Sequence, residues 1–227
     1  MPPEGRAEDR AGAGFGPAEF AECTGVSRET TARLEAYAAL LVKWQRSLNL
    51  VGPKTLPDLW RRHMLDSAQL FPLLPPGART LVDLGSGAGF PGLVLAAMGA
   101  ERGLTVHLIE SDRRKGVFLR EAARVLGLGE RAVIHTARIE SLEPIAADCV
   151  TARALAPVSQ LLSYASRAVG PNTPCLFLKG KRLQDELTDI KSAWYIEYRI
   201  VPSKSDPDGE VLAVDAFSAR PPPEGSF

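Results

Sequence analysis

The sequence predicts an α/β fold in which helices cover both faces of a mostly parallel sheet. Three observations support this. Short apolar runs alternate with helical stretches after Gly77. A glycine-rich turn joins the first apolar run to a helix. The turn at residues 206–209 separates two final strands, so one antiparallel strand is expected at or near an edge of the sheet.

The apolar runs and their punctuation place each element. Runs of apolar and β-branched residues predict strands at 80–84, 105–110, 132–135, 148–153, 175–179, 195–201 and 210–217. Helical periodicity predicts helices from about 91, at 114–126, at 157–168 and from about 180 to 193. Gly127 ends the second of these helices.

The segment before Gly77 is predicted to be a helical extension. Apolar residues recur at helical spacing from Leu34 to Leu48, and Ser27 is a suitable N-cap before them. A second helix is expected from about 56 to 74, with His63 and Asp66 on one face. The predicted organisation is a tail at 1–16, the extension at 17–76, a sheet domain at 77–217 and a C-terminal tail at 218–227.

Composition excludes several classes of protein. Lys plus Arg and Asp plus Glu both number 27, so formal net charge is zero, which argues against a general polyanion binder but allows a local basic face. The three cysteines are far apart and form no C-x-x-C pair, so neither a disulfide framework nor a zinc site is expected. The sequence has no membrane-length apolar run and no signal-peptide pattern, which predicts a cytoplasmic protein that does not bind membranes.

The glycine-rich turn, residues 83–92 (DLGSGAGFPG), is predicted to bind a cofactor. The absence of Gly-Lys-Ser/Thr excludes a P-loop, while a G-x-G-x-x-G pattern leaves nicotinamide or flavin nucleotides possible. Asp83 is unfavourable beside a pyrophosphate, and Glu110 at the next strand end suits ribose hydroxyls. These residues favour S-adenosylmethionine, with the dinucleotides as the alternative.

Several short motifs then occur in a specific order. They are Trp44-Gln45, Asn49-Leu50, Arg62-His63-Met64-Leu65-Asp66-Ser67, the segment 82–92, Thr151-Ala152-Arg153-Ala154 and Leu178-Lys179-Gly180. Over residues 37–217 the chain resembles the RsmG (GidB) family of bacterial 16S ribosomal RNA guanine-N7 methyltransferases. The resemblance implies a class I S-adenosylmethionine-dependent methyltransferase fold, Rossmann-like with a mostly parallel seven-stranded sheet, and an N-terminal helical extension.

The resemblance also implies a reaction and its partners. Guanine 527 of 16S ribosomal RNA would be methylated at N7, within the small ribosomal subunit or an assembly intermediate. S-adenosyl-L-homocysteine would be the product. From the residues themselves, nothing calls for a metal and no exposed apolar stripe demands a dimer, so a metal-independent monomer is expected. The alternatives are a methyltransferase of the same fold acting on a small molecule or protein, a nucleotide-dependent oxidoreductase and a noncatalytic RNA-binding module.

The predicted site residues come from the family resemblance and from the glycine-rich turn with the strand that follows it. By resemblance, the cofactor contacts fall on Gly85, Phe90, Ile139, Glu140 and Arg153, although Ala137 stands where many members have glycine. The residues of the turn and the next strand add Asp83, Gly87, Gly89 and Glu110 to the predicted cofactor site.

The chemistry of N7 methylation indicates which groups the enzyme needs. N7 carries a lone pair and no proton, so no general base is required. Arg153 and Lys179, at the ends of two strands, are the expected catalytic donors to guanine O6. The predicted RNA-binding residues are Arg61, Arg62, His63, Lys179, Lys181 and Arg182. His63 either joins the extension to the sheet domain or lines the crevice, and residues 113–115 either contact RNA or are solvated.

Overall fold

A computed structural model describes residues 14–169 and 173–221. The predicted tails at 1–16 and 218–227 lie mostly outside these ranges. The strands are β1 Thr80–Leu84, β2 Thr105–Glu110, β3 Ala132–Thr136, β4 Cys149–Arg153, β5 Cys175–Lys179, β6 Trp194–Pro202 and β7 Glu210–Ala219. The α-helices are α1 Pro17–Thr24, α2 Arg28–Gln45, α3 Asp66–Ala68, α4 Gly92–Gly99, α5 Arg113–Val125, α6 Val158–Ala168 and α7 Leu183–Asp189.

All seven strands form one sheet in the order β3-β2-β1-β4-β5-β7-β6. β1 to β5 pair in parallel, and β7 is antiparallel to both β5 and β6. The α/β prediction is therefore confirmed, with the antiparallel strand one position from the edge. The chain order reverses between β1 and β4, so the carboxyl ends of these strands are where a ligand crevice is expected.

The extension packs as a further layer over one face of the sheet. Helix α4 has seven buried residues among its eight, since it lies between the sheet and α2. One buried cluster runs from Phe20 and Leu34 to Leu93 and Phe118. The opposite face is covered by α6 and α7, whose apolar residues bury Val150 and Phe177. The predicted apolar stripe and the Ser27 cap are confirmed, as Ser27 Oγ accepts from the Thr30 amide at 3.1 Å.

The single helix predicted from about 56 to 74 is wrong. The chain instead forms a 3₁₀ helix at Pro53–Asp58, a π-helical segment at Trp60–Leu65, the short α3, and a 3₁₀ turn at Phe71–Leu73. Pro57 and Pro72 cannot donate the amide bonds that a continuous helix needs. Similarly, the helix predicted to reach 193 ends at 189 and continues as a 3₁₀ turn. Among the described residues, no helix combines the length and the apolar character needed to cross a bilayer.

Candidate active site

A cavity of about 800 Å³ opens at the carboxyl ends of the parallel strands. Its walls come from the glycine-rich turn, residues 137–140, residues 153–155, residues 178–182, the extension and the β6–β7 connection. All of these wall residues lie in the described part of the chain. This volume lies in the upper part of the usual range for small-molecule sites.

The glycine-rich turn forms the floor of the cavity because its backbone adopts left-handed conformations. Gly85 has φ +65° and Gly87 has φ +55°. A Cβ added at Gly85 would lie 2.5 Å from Leu155 Cδ1. The Gly87 amide donates to Glu110 Oε2 at 2.9 Å, which ties the turn to the end of β2. Glycine is needed at position 85 for both its backbone conformation and its close packing.

Glu110 is positioned at the cavity edge by its own backbone contacts. Its Oε1 accepts from the Asp112 amide at 2.8 Å, while Oε2 accepts from Gly87. The residue is 8% exposed. Each carboxylate oxygen accepts at more than one lone pair, so this fixed carboxylate can also receive hydroxyl donors from the cavity.

Asp83 occupies a different place from the one predicted. Its side chain is fully buried and is not part of the cavity wall. Oδ1 accepts from Thr151 Oγ1 at 2.8 Å, and Oδ2 accepts from the Gly92 amide at 3.3 Å. Burial raises the pKa of Asp83 to about 6, although its hydrogen bonds and Arg153 act in the opposite direction. The predicted direct cofactor contact does not fit this placement, since the carboxylate holds β1, β4 and the start of α4 together.

The other residues predicted to contact the cofactor line the cavity, with one exception. Gly85, Gly87, Phe90, Ile139 and Glu140 line the cavity, as predicted for the cofactor site. Gly89 is not part of the cavity wall and packs behind the turn.

Arg153 joins the end of β4 to the extension. Its Nη1 donates to His63 Nδ1 at 2.8 Å and to the Arg62 carbonyl at 3.2 Å, and lies 3.4 Å from Asp66 Oδ2. The guanidinium carbon lies 4.9 Å from the centroid of the Phe90 ring. Nε and Nη2 make no hydrogen bond to any residue in the described ranges. Arg153 thus has one anchored nitrogen and two donors available at the cavity wall.

His63 is held as a neutral imidazole. Arginine only donates, so His63 Nδ1 accepts from Arg153, and the proton is on Nε2, which donates to Thr55 Oγ1 at 2.7 Å. Burial, followed by the charges of Arg153 and Arg62, lowers the pKa of His63 to about 3. The expected His63–Asp66 pairing is replaced by contacts of both residues with Arg153. His63 also lines the cavity, so it combines the two roles considered for it.

The depressed pKa of His63 predicts loss of stability in acid. As the pH falls below 6.5, the unfolded chain takes up a proton at this residue, whereas the folded chain does so only near 3. We expect the free energy of unfolding of the His63→Gln variant to fall less steeply through this window, by at most about 1.4 kcal/mol per pH unit. Urea unfolding at a series of pH values measures both slopes. Asp83 is present in both proteins, so its own titration cancels, and equal slopes would contradict the prediction.

Lys179 is more enclosed than expected for a residue that donates a hydrogen bond directly to guanine. Its Nζ lies 2.7 Å from Glu186 Oε2 and donates to the Ala156 carbonyl at 3.1 Å, and its side chain is 10% exposed. The same Glu186 oxygen accepts from the Val158 amide at the start of α6. Lys179 therefore supports the cavity wall, and its predicted contact with guanine stays a prediction.

Two predicted RNA-binding residues are already paired with carboxylates of the β6–β7 connection. Arg62 Nη1 lies 2.6 Å from Asp206 Oδ2, and Lys181 Nζ lies 2.8 Å from Asp208 Oδ2. The basic face inferred from sequence is thus partly neutralised locally.

The remaining cations differ in their access to the cavity. Arg61 stacks over the Phe15 ring at 4.7 Å and does not line the cavity, and its predicted contact with RNA stays a prediction. Arg182 and Lys115 line the cavity and have no ion pair within the described ranges. Arg114 donates to the Ser47 carbonyl at 2.6 Å.

Tyr37 is a site residue that the sequence analysis missed. It is fully buried, and its hydroxyl donates to the Ala88 carbonyl of the glycine-rich turn. Its ring centroid lies 5.4 Å from that of Phe90. The periodicity identified it as a core residue, but a buried tyrosine hydroxyl needs a hydrogen-bond partner, and that requirement was the available signal.

Comparison with known proteins places this site in a family. The family model for rRNA small subunit methyltransferase G, GidB, matches residues 30–207. The chain belongs to this family. A protein named ribosomal RNA small subunit methyltransferase G from Paramagnetospirillum magneticum is 58% identical over 198 residues, covering 87% of this chain and 94% of that protein. Its namesake from Parvibaculum lavamentivorans is 55% identical, covering 86% and 87%.

Solved structures confirm the fold of this GidB-family chain. A methyltransferase from Geobacter sulfurreducens has a TM-score of 0.54 at 15% identity, covering 90% of this chain and 98% of that one. An O-methyltransferase from Klebsiella pneumoniae, given as putative, has a TM-score of 0.52 at 16% identity, covering 84% and 91%. The resemblance seen in the motifs and the class I methyltransferase fold are both confirmed, and the chain is an S-adenosylmethionine-dependent methyltransferase.

Proposed function

We propose that this GidB-family enzyme methylates N7 of guanine 527 in 16S ribosomal RNA, within the small ribosomal subunit or an assembly intermediate. The observation that carries the proposal is Arg153, which presents free donors at the cavity wall. Its relatives are named for methylation of small-subunit ribosomal RNA. We also propose that it acts in the cytoplasm as a monomer.

The cavity residues fit S-adenosylmethionine. The Glu110 carboxylate suits ribose hydroxyls, the backbone of the turn at Gly85 and Gly87 allows close approach, and Ile139 and Glu140 suit the adenine edge. When bound, this cofactor supplies an electrophilic methyl group and is converted to S-adenosyl-L-homocysteine. The reaction as written requires no metal.

The protein contributes positioning to this reaction. Nε and Nη2 of Arg153 are suited to donate to guanine O6, because arginine pairs naturally with this edge of guanine. The anchored Nη1 fixes the guanidinium plane, so the base is held in line with the methyl donor. Such alignment can supply about 7–11 kcal/mol of the barrier. The reaction moves one positive charge from the sulfur of the cofactor to the guanine base and creates no additional charge. No new counter-ion is therefore needed.

Proton abstraction has no place in this mechanism. Both nitrogens of His63 are engaged, both oxygens of Glu110 accept backbone amides, and Asp83 is buried behind the turn. The target guanine has to leave its stack to enter the cavity. Arg182, Lys115 and, once released, Arg62 and Lys181 are placed to hold the RNA backbone.

Labelled methyl transfer tests the proposal. Small subunits, naked 16S RNA, bulk protein and a small-molecule extract from cells lacking the enzyme are each incubated with it and labelled S-adenosylmethionine. We expect 7-methylguanosine at guanine 527, with a single-turnover rate that is flat between about pH 6.5 and 8.5 because no base titrates. Label in protein or small molecules alone would overturn the RNA substrate, and a rate limb near neutral pH would overturn the base-free mechanism.

A further inference from the structure

The β6–β7 connection, residues 203–209, carries two carboxylates at the mouth of the cavity. Ser203, Ser205, Asp206 and Gly209 line that mouth. Asp206 pairs with Arg62 of the extension, and Asp208 pairs with Lys181 of the β5–α7 connection. One turn thus neutralises cations from two other elements that border the cavity.

This turn is fixed to the extension by hydrogen bonds that do not involve its own two carboxylates. Gln69 Oε1 accepts from the Lys204 amide at 2.8 Å, and Gln69 Nε2 donates to Ser203 Oγ at 3.1 Å. Ser205 Oγ donates to Asp66 Oδ1 at 2.6 Å. The turn therefore keeps its position without the two ion pairs, and the carboxylates are held where they are by the backbone.

The two ion pairs themselves are exposed enough to exchange with a ligand. The side chains of Arg62 and Asp206 are 37% and 28% exposed, and those of Lys181 and Asp208 are 74% and 53% exposed. Ion pairs of this kind contribute little to stability. A phosphate oxygen binds arginine and lysine in the same manner as a carboxylate oxygen, so RNA competes directly with Asp206 and Asp208 for these cations.

We propose that Asp206 and Asp208 occupy the RNA-phosphate positions on Arg62 and Lys181 and thereby lower the affinity of the enzyme for every RNA. This inference rests on the proposed function, because it requires an RNA substrate. Phosphates are the same in every RNA, so the competition weakens binding to all of them. An RNA that also places a guanine against Arg153 has a further contact and stays bound despite this loss, whereas the occupancy of the enzyme by RNAs that bind through phosphates alone is reduced.

The double variant Asp206→Asn/Asp208→Asn tests this inference. Asparagine at position 206 keeps the side-chain oxygen that accepts from the amide of residue 208. The two substitutions together remove both negative charges. Dissociation constants are measured at several salt concentrations for a 16S RNA fragment containing the target and for an unrelated RNA of equal length. We expect both to bind about 5- to 20-fold more tightly near 150 mM salt, with a salt slope steeper by about 1. The ratio of the two dissociation constants is expected to stay the same, because the competition acts on phosphates alone.

Asp215→Asn is the matched control, because it removes one charge from an exposed pair with Arg199 away from the cavity. It is expected to leave affinity and slope within about 2-fold of the wild type. Should the double variant fail to fold, Asp208→Asn alone gives the same direction of change. Unchanged or weaker RNA binding, together with normal methyl transfer by the wild type, overturns this inference alone. Absence of RNA methylation by the wild type overturns the proposed function.

Discussion

Arg153→Ala is expected to reduce kcat for RNA methylation by about 10²- to 10³-fold, the usual loss when a fixed donor at a reaction centre is removed. Nε and Nη2 of Arg153 are free donors at the cavity wall, while Nη1 is anchored to His63 and the Arg62 carbonyl. Arg153→Lys is expected to recover only part of the rate, because lysine keeps the charge but lacks the planar pair of donors. Single-turnover methylation with saturating cofactor and small subunits measures the effect.

A spectroscopic readout separates positioning from general damage. His63 Nδ1 loses its donor in Arg153→Ala, and the nearby positive charge is removed, so the pKa of His63 is expected to rise from about 3. It stays below 6.5 because burial is the largest cause of the depression. NMR titration of the imidazole measures this shift. Arg199→Ala, which changes an exposed arginine outside the cavity, is the control. Activity of Arg153→Ala within 3-fold of the control would refute the proposed role of this residue.

The strands of the sheet were predictable from sequence because a buried parallel strand consists of a short continuous run of apolar residues. The predicted bounds of β1, β2 and β5 agree with the structure at both ends. The helical extension was harder to predict from sequence. Its Leu34–Leu41 stripe gave α2 correctly, but an apolar face alone could not show that Trp60–Leu65 widens into a π-helical segment. That segment brings His63 and Asp66 to Arg153 together, and such departures from regular helix are frequent at functional sites.

The candidate site was predictable where topology decides it and unpredictable where side-chain pairing decides it. Glu110 and Arg153 end parallel strands, so the crevice residues follow from strand order. Asp83 also ends a strand, but its side chain points away from the cavity, and a one-dimensional pattern does not show which way it points. The partners of Arg62 and Lys181 lie in a distant turn, so their neutralisation was visible only in three dimensions.

Gly89→Ala is expected to destabilise the fold by about 3–5 kcal/mol, from overpacking and backbone strain combined. Gly89 has φ +94°, and an added Cβ would lie 2.4 Å from Leu93 Cδ1 and 3.0 Å from the Tyr37 hydroxyl. Leu93 and Tyr37 are fully buried, so neither has room to move. Because Tyr37 supports the Ala88 carbonyl, the same change is expected to weaken cofactor binding. Urea unfolding and cofactor titration measure the two effects.

Gly127→Ala measures the backbone-strain part of this effect alone, so the difference between the two variants gives the part that comes from collision. Gly127 has φ +67°, but an added Cβ there meets nothing within 4 Å, so only the backbone strain of about 1–2 kcal/mol is expected, with unchanged cofactor affinity. A loss in Gly89→Ala no larger than in Gly127→Ala would mean that the turn shifts to accommodate the methyl group. In that case the packing of Tyr37 and Leu93 would not be what fixes the turn. A larger loss at Gly89 would instead show that the packing of Leu93 and Tyr37 fixes the shape of the cofactor turn.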